Sequence, residues 1–196
     1  MTKSAQTHHY ILEKTAPLFN KKGFDGTTLS DLEKATGLTK GSLYGNFSNK
    51  DELAMEAFLY SIKRVKEMVR EKLQDAPGYK EQLEALLDFY ANYVFDPPIA
   101  GGCPLLNSAV EADDHRTNMR RVVVDELNGT IDFMAELFRK GKRAGEFKES
   151  IKPRDLAYTM FCAVEGALMF SRVEKSDEPM KIIVKHCKTI LDQISK

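Results

Sequence analysis

A run of polar side chains between Glu33 and Asp51 has the chemistry needed to meet nucleic acid, and it contains no acidic residue. Gly41 and Gly45 carry no side chain, which keeps this stretch slim. Hydroxyl, ammonium, phenol and amide groups bind phosphate oxygens and the edges of bases in a major groove. These groups belong to Thr39, Lys40, Ser42, Tyr44 and Asn46.

The residues around this run predict two short helices joined by a tight turn. Thr27 or Thr28 can cap a first helix, whose apolar residues recur at three-residue steps. Gly37 permits the left-handed backbone that ends this helix, and Thr39 can cap the next one. The second helix, predicted for 40–47, is too short to be stable alone, so its apolar side chains must pack on neighbouring elements. Its outer polar face therefore stays free.

Residues 27–53 resemble the helix-turn-helix of the TetR family of bacterial transcriptional repressors. The shared pattern is a threonine pair, a small residue and glycine at the turn, hydrophobic-Ser/Thr-x-Gly-x-hydrophobic-Tyr, an aromatic residue, and Lys-Asp/Glu-x-Leu. The chain has Glu33 where the family usually has a small residue, and Asn46 where it usually has His or Tyr. Glu33 bears on the contact between the paired helices, and Asn46 on phosphate contact or base preference.

The resemblance and the free polar face together assign DNA contact to nine residues: Thr27, Thr28, Thr39, Lys40, Gly41, Ser42, Tyr44, Asn46 and Lys50. Phosphate contact is expected from Thr28, Tyr44 and Lys50. For Lys50 the reason is its place in the first turn of a long predicted helix, where N–H and ammonium groups can hold a phosphate. Base contact is expected from Thr39, Lys40 and Ser42. The alternative is a threonine-rich helix pair that only packs within a helical protein.

The charge of the whole chain does not identify a nucleic-acid binder. Its 196 residues are 42% hydrophobic, enough to bury a sizeable core, and 29 basic residues balance 29 acidic ones. Residues 1–50 contain seven lysines and four acidic residues, a net charge of +3, so the other 146 residues carry −3. Binding to DNA must therefore depend on local charge asymmetry.

Cysteine and histidine usage gives no reason to expect a cofactor or metal. Three cysteines at wide spacing argue against a disulfide framework and against a CxxC zinc site, and they suit a reducing cytoplasm. The His8–His9 pair lies on a predicted helix and is expected to be solvated. No basic start leads into an apolar run, and no stretch approaches the roughly 18 apolar residues of a spanning helix, so neither a signal peptide nor a membrane anchor is expected.

Helical periodicity continues along the rest of the chain, and no candidate strand exceeds a few residues. Pro17 lies inside the first predicted helix and is expected to bend it or loosen one turn. Besides the pair within 27–47, helices are predicted at 4–22, 50–73, 83–95, 104–113, 115–143, 153–172 and 179–194. The fold class is therefore all-α with about nine helices: an N-terminal three-helix helix-turn-helix domain, 1–49, and a C-terminal helical bundle, 50–196, that binds a ligand and dimerises.

Two segments extend the resemblance into the C-terminal domain. GGCPLLNSAVEA resembles the Gly-Cys-x-hydrophobic segment of one branch of the family, which includes the N-ethylmaleimide-responsive repressor. GKRAGEF resembles the Gly-x-x-x-Gly-Glu-hydrophobic junction before the family's dimer helices. The resemblance implies an effector pocket lined by Phe58, Tyr90, Tyr93, Cys103, Phe133, Met134 and Phe161. The alternative for the aromatic and methionine side chains is that each one fills the core and contacts no ligand. The resemblance also implies a four-helix interface between two chains, with contacts from Leu168, Met169, Ile183, Cys187 and Ile190.

Cys103 is the residue that could make the regulator chemically responsive. It follows two glycines at a predicted helix start, where the helix dipole favours an anion, so its thiol is expected to be more reactive than those of Cys162 and Cys187. The alternative is a small buried residue that fills a helix junction.

The function expected from the resemblance is a cytoplasmic homodimeric regulator, a repressor that a small molecule or thiol-reactive compound releases from a near-palindromic DNA operator. One alternative is a helical protein-interaction module without DNA binding. Another is an enzyme with Cys103 as nucleophile and His115 as base, but no third catalytic group is recognisable, so the chain is not expected to be an enzyme. The effector, the operator and the choice between repressor and activator cannot be read from the sequence.

Overall fold

The computed structural model describes residues 2–113 and 117–196. Every regular element within these ranges is a helix, and the only β pairing there is an isolated bridge between Phe147 and Ser195. The helices are α1 Lys3–Gly26, α2 Leu29–Thr36, α3 Lys40–Tyr44, α4 Lys50–Leu73, α5 Tyr79–Asn92, α6 Pro104–Ala112, α7 Thr117–Ala144, α8 Pro153–Glu174 and α9 Glu178–Ile194. The all-α prediction is confirmed.

The chain divides into two compact units. Unit 1 comprises residues up to 66 together with 98–123, and unit 2 comprises 67–97 together with 124–196. Unit 1 therefore contains α6 and most of α4 besides the three N-terminal helices. These structural units differ from the predicted domains, because α6 packs on α1 rather than joining the C-terminal bundle.

The core of unit 1 forms where α1, the α2–α3 pair and α4 meet. It is built from Ile11, Leu12, Ala16, Leu32, Leu43, Phe47, Leu53 and Ala57. The loosened turn expected at Pro17 is not seen in the backbone angles, which stay helical there. The break in α1 lies instead at Gly23, whose φ of 73° is a left-handed conformation that glycine adopts without strain.

Unit 2 is organised around the antiparallel contact of α8 with α9 and the contact of α5 with α9. The buried face of α8 contains Met160, Phe161, Val164 and Leu168 among others, and α9 contributes Met180, Val184, Cys187 and Leu191. Two ion pairs join α5 to α9, Lys80–Asp192 and Lys188–Asp88, each at 2.6 Å. The packing follows the apolar periodicity from which both C-terminal helices were predicted.

The Gly-x-x-x-Gly-Glu junction after α7 has a separate structural role for each of its residues. Gly141 leaves room for the Phe147 ring, and Gly145, with φ of 82°, ends the helix. The Glu146 carboxylate accepts hydrogen bonds from the N–H groups of Tyr79 and Lys80, at 2.8 and 2.9 Å. Because first-turn N–H groups lack partners within their own helix, Glu146 caps α5 across the unit.

Among the described helices, α8 is the one long and apolar enough to cross a membrane by length and composition, with a mean hydropathy of 1.2. The expectation that no stretch would approach this limit is therefore wrong for α8. Of its most apolar 18-residue window, 44% is buried inside the protein. A helix that packs one face in a helical core passes the same test, so α8 is weak support for membrane insertion.

Replacing Gly141 by alanine should destabilise the protein. The added Cβ would lie 2.4 Å from a ring carbon of Phe147 and 3.0 Å from the Tyr79 Cβ, and the Phe147 ring is fully buried. Overpacking of this kind costs about 1–3 kcal/mol, which a urea unfolding curve would measure. Gly129→Ala, in the same helix, meets no atom within 4 Å. It should leave stability unchanged or raise it by up to about 1 kcal/mol, and equal midpoints for the two variants would contradict this account.

Candidate nucleic-acid interface

The start of α2 is held by a capping box. The Thr28 hydroxyl accepts a hydrogen bond from the Asp31 N–H at 3.1 Å, and the Asp31 carboxylate accepts one from the Thr28 N–H at 3.0 Å. Lys22 of α1 also pairs with Asp31 at 2.6 Å. The Lys22 ammonium, followed by the Thr28 donors, holds the pKa of Asp31 far below its ordinary value. The carboxylate therefore ties α2 to α1.

The turn between α2 and α3 has the predicted left-handed glycine. Gly37 has φ of 68° and ψ of 10°, and its N–H donates to the Glu33 carbonyl at 2.8 Å. The buried Thr36 hydroxyl accepts a bond from the Leu38 N–H, and the Tyr10 hydroxyl of α1 donates to the Thr36 carbonyl at 3.0 Å. The last turn of α2 is thus fixed from two sides, which sets the direction of the chain into α3.

Helix α3 is shorter than predicted. It ends at Tyr44, and the chain from there to Phe47 forms turns and bends. Leu43 and Phe47 are buried as expected. Thr39 caps the helix by accepting the Ser42 N–H at 3.3 Å. Glu33, the departure from the family pattern, accepts the Lys40 N–H at 2.7 Å. A long acidic side chain therefore supplies α3 with a second cap from α2.

Most of the predicted DNA-contacting residues present accessible groups on this unit. Thr28, Thr39, Lys40, Gly41 and Ser42 are exposed, and Tyr44, Asn46 and Lys50 are partly exposed.

Thr27 is the exception, because the structure does not place it among the accessible residues. Its side chain is fully buried, and its hydroxyl donates to the Gly23 carbonyl at 2.6 Å. Thr27 therefore closes the corner between α1 and α2. The adjacent threonines have separate duties that the sequence pair alone does not distinguish.

Lys50 stands at the beginning of α4, as predicted. Its ammonium lies over the Phe24 ring at 4.3 Å from the centroid, a cation–π contact that leaves the group partly exposed. The Asn46 amide donates to the Ser42 carbonyl at 2.9 Å, which orients the side chain along the α3 face. Each of these two groups thus has a defined contact within unit 1, the ammonium with an α1 ring and the amide with the α3 backbone.

His8 is not simply solvated. It is half-buried, stacks on Phe47 with 4.4 Å between ring centroids, and pairs with Glu56 at 3.1 Å. His9 is exposed and meets the edge of Tyr60. Within the described part of the chain, no group of His, Cys, Asp and Glu side chains could hold a metal ion.

The predicted effector residues come together only in part. Tyr90, Met134 and Phe161 line a cavity of about 10 Å³ in unit 2, with Leu83, Leu86, Leu87, Met160 and Val164. Tyr93 is buried beside Tyr90, with ring centroids 5.7 Å apart, but Phe133 is 43% exposed. The cavity has room for about one water molecule, whereas ligand pockets occupy about 300–1,000 Å³.

Phe58 and Cys103 belong to unit 1 and lie outside that cavity. The Cys103 backbone occupies the N-cap position of α6, as predicted, but its side chain is buried. Cys162 is exposed, and burial raises the pKa of the Cys187 thiol. His115, the base of the alternative enzyme, lies outside the described residues.

Two of the residues predicted to make dimer contacts are buried inside the chain itself. Leu168 and Cys187 are buried in the α8–α9 core, whereas Met169 is exposed and Ile183 and Ile190 are half-buried. An exposed, mainly apolar groove of about 480 Å³ is lined by Cys162, Ala163, Gly166, Ala167, Phe170, Pro179, Ile182 and Ile183, and also by Glu174 and Glu178. Phe170 and Ile182, which are 55% and 59% exposed, escaped the prediction because both faces of these helices are apolar.

Two protein-family models match the chain. Residues 11–57 match the model of bacterial regulatory proteins of the tetR family, and residues 80–187 match the tetracyclin repressor-like C-terminal domain. The first match covers the capped helix pair, and it identifies the protein as a helix-turn-helix DNA-binding transcriptional regulator. The chain belongs to the TetR family.

Known proteins resemble it along nearly its whole length. A TetR-family regulator from Cytophaga hutchinsonii is 35% identical with a TM-score of 0.92, and one from Chloroflexus aurantiacus is 32% identical with a TM-score of 0.95; each comparison covers 100% of this chain and 98% of the other. The Escherichia coli repressor NemR is 23% identical over 186 residues, which is 94% of each chain. These relatives are transcriptional regulators.

Proposed function

We propose that this protein is a cytoplasmic homodimeric repressor that binds a near-palindromic operator through α3 and releases it when an effector binds. The observation that carries the proposal is the exposed α3 face, with hydroxyls and an ammonium on a helix whose apolar side is buried. Similarity to NemR, which is named a repressor, supports repression rather than activation. Two copies of α3 related by a twofold axis would enter major grooves about 34 Å apart.

The proposed division of contacts places phosphates on Thr28, Tyr44 and Lys50, and base edges on Thr39, Lys40 and Ser42. Gly41, which has no side chain, allows α3 to approach the DNA closely, and Asn46 is proposed to face the same major groove. The rival reading, a helical interaction module without DNA binding, predicts no salt-dependent retention of the purified protein on duplex DNA. A repressor predicts retention that weakens steeply as salt rises.

The first prediction from this proposal concerns the surface that contacts DNA. Lys50→Ala should weaken binding to every duplex and reduce the salt slope by about one, whereas Lys40→Ala should also reduce the preference for the operator over scrambled DNA. Fluorescence anisotropy at several salt concentrations, with an operator selected from random duplexes, measures both. Lys140→Ala removes the same charge from an exposed site on α7 and should change neither quantity. Wild-type affinity in a Lys40→Ala, Tyr44→Ala double variant would refute the assignment.

The second prediction concerns the dimer. The exposed groove on α8 and α9 is the proposed contact with a second copy, so Phe170→Glu or Ile182→Asp should give a monomer by sedimentation and abolish tight operator binding, while circular dichroism still shows a folded helical chain. Phe95→Glu, at an exposed aromatic outside the groove, is the matched control. A charge at the buried Leu168 should unfold the protein instead. A wild-type chain that is monomeric at micromolar concentration would contradict the proposal.

The third prediction concerns the effector. We propose that a thiol-reactive compound acts at Cys103, where modification would wedge the start of α6 away from its neighbours. Burial slows access to this thiol, while the exposed Cys162 lies in the groove that a second copy would cover. Limiting alkylating agent should release DNA from the wild type and from Cys162→Ser, but not from Cys103→Ser. Release that persists unchanged in Cys103→Ser would leave a non-covalent ligand as the effector.

A further inference from the structure

The helix α6 is joined to α1 by side chains that repeat at matching intervals on both helices. Asn107 and Glu111 are four residues apart and share one face of α6, and they contact Asn20 and Phe24, which are four residues apart on α1. This joint lies within unit 1 and has no counterpart in the sequence prediction.

At one end of this contact between α6 and α1, the Glu111 carboxylate accepts two backbone hydrogen bonds. Glu111 Oε2 accepts from the Phe24 N–H at 2.8 Å, and Glu111 Oε1 accepts from the Asp25 N–H at 3.0 Å. These N–H groups come directly after the break in α1 at Gly23. Glu111 therefore fixes the backbone of the turn that carries the Phe24 ring.

Gly23 is shaped for this approach in two ways. Its φ of 73° turns the following N–H groups toward α6, and a Cβ on it would lie 2.7 Å from Glu111 Oε1. Any side chain at this position would displace the carboxylate. The glycine and the glutamate thus form one structural device.

At the other end of the contact, Asn20 and Asn107 fix the position of α6 along α1. The buried Asn20 amide donates to the Gly102 carbonyl at 2.8 Å, and the Asn107 amide donates to Asn20 Oδ1 and to the Gly101 carbonyl, each at 2.9 Å. Gly101 has φ of 120°, and a Cβ there would lie 2.8 Å from the Asn20 backbone. The glycine pair before Cys103 therefore serves contact with α1.

The Phe24 ring contacts Lys50 at the start of α4, so the position of the ring affects the position of the lysine. The Lys50 ammonium lies 4.3 Å from the ring centroid, and the ring is also stacked with Phe19, with 6.4 Å between the two ring centroids. Without this contact, a lysine side chain samples many rotamers. Ordering it against a phosphate then costs conformational entropy, which the DNA contact must offset. A ring held in place by Glu111 reduces this cost before DNA arrives.

We propose that Glu111 is a positioning residue for DNA binding, whose carboxylate fixes the Phe24 turn and, through its ring, the ammonium of Lys50. The inference rests on the proposed phosphate contact of Lys50. It assigns a favourable effect on DNA affinity to a negative charge, which simple electrostatics would not predict. The sign of the effect therefore separates positioning from plain charge repulsion.

The test is a double-mutant cycle on operator affinity with wild type, Glu111→Gln, Lys50→Ala and the double variant, each at several salt concentrations. Glu111→Gln should bind about tenfold more weakly, because an amide can accept only one of the two N–H bonds, and its salt slope should approach that of Lys50→Ala. In the Lys50→Ala background the same change should weaken binding less than about twofold. Glu13→Gln removes the same charge from an exposed site on α1 and should not weaken binding.

Phe24→Leu provides a second variant that keeps apolar bulk and removes the cation–π contact, and it should reproduce the Glu111→Gln effect at an unchanged unfolding midpoint. The inference is overturned if Glu111→Gln binds as tightly as wild type while Lys50→Ala binds weakly, or if the two changes multiply in the double variant. If Lys50→Ala itself has no effect, the proposed phosphate contact fails and the inference with it. A wild type without salt-dependent DNA binding would sink the proposed function as a whole.

Discussion

The constraint on which the DNA-binding unit depends is the shortness of α3. Five residues cannot form a stable helix in water, because nucleation costs more than so few hydrogen bonds return. The helix exists because Leu43 and Phe47 are buried and because both of its neighbours supply caps, Thr39 from the turn and Glu33 from α2. The polar face can remain free for DNA because stability comes from the opposite side.

Much of this architecture could be predicted, since periodicity and capping are local properties. Thr28, Gly37 and Thr39 adopt the conformations that their residue types favour, and the all-α class follows from apolar spacing along the whole chain. The Gly-x-x-x-Gly-Glu junction was recognised as a pattern. Its physical reason, a glutamate that caps a helix some 66 residues earlier in the chain, required the tertiary structure.

The predictions that differ from the structure do so for one reason. The type of a residue does not show which side of its helix is packed against the rest of the protein. Thr27 and Thr28 are chemically alike, yet one closes a corner and the other caps a helix. Leu168 and Phe170 are both large apolar residues that suit an interface. They are two residues apart on α8, a rotation of about 200° at about 100° per residue, so Leu168 is buried in the core and Phe170 is exposed. The role of Glu111 cannot be predicted from sequence, because its partners are backbone N–H groups, which every residue except proline carries.

The small cavity in unit 2 limits how an effector can act. Its lining is almost wholly apolar and packed to within about 10 Å³, so a molecule larger than water can enter only if helices or side chains separate. Separation exposes apolar surface, and the affinity of the ligand is reduced by the fraction of protein that is open beforehand. An effector that binds there must therefore favour a conformation other than the closed one, and that difference in affinity is the free energy available to move the DNA-binding unit.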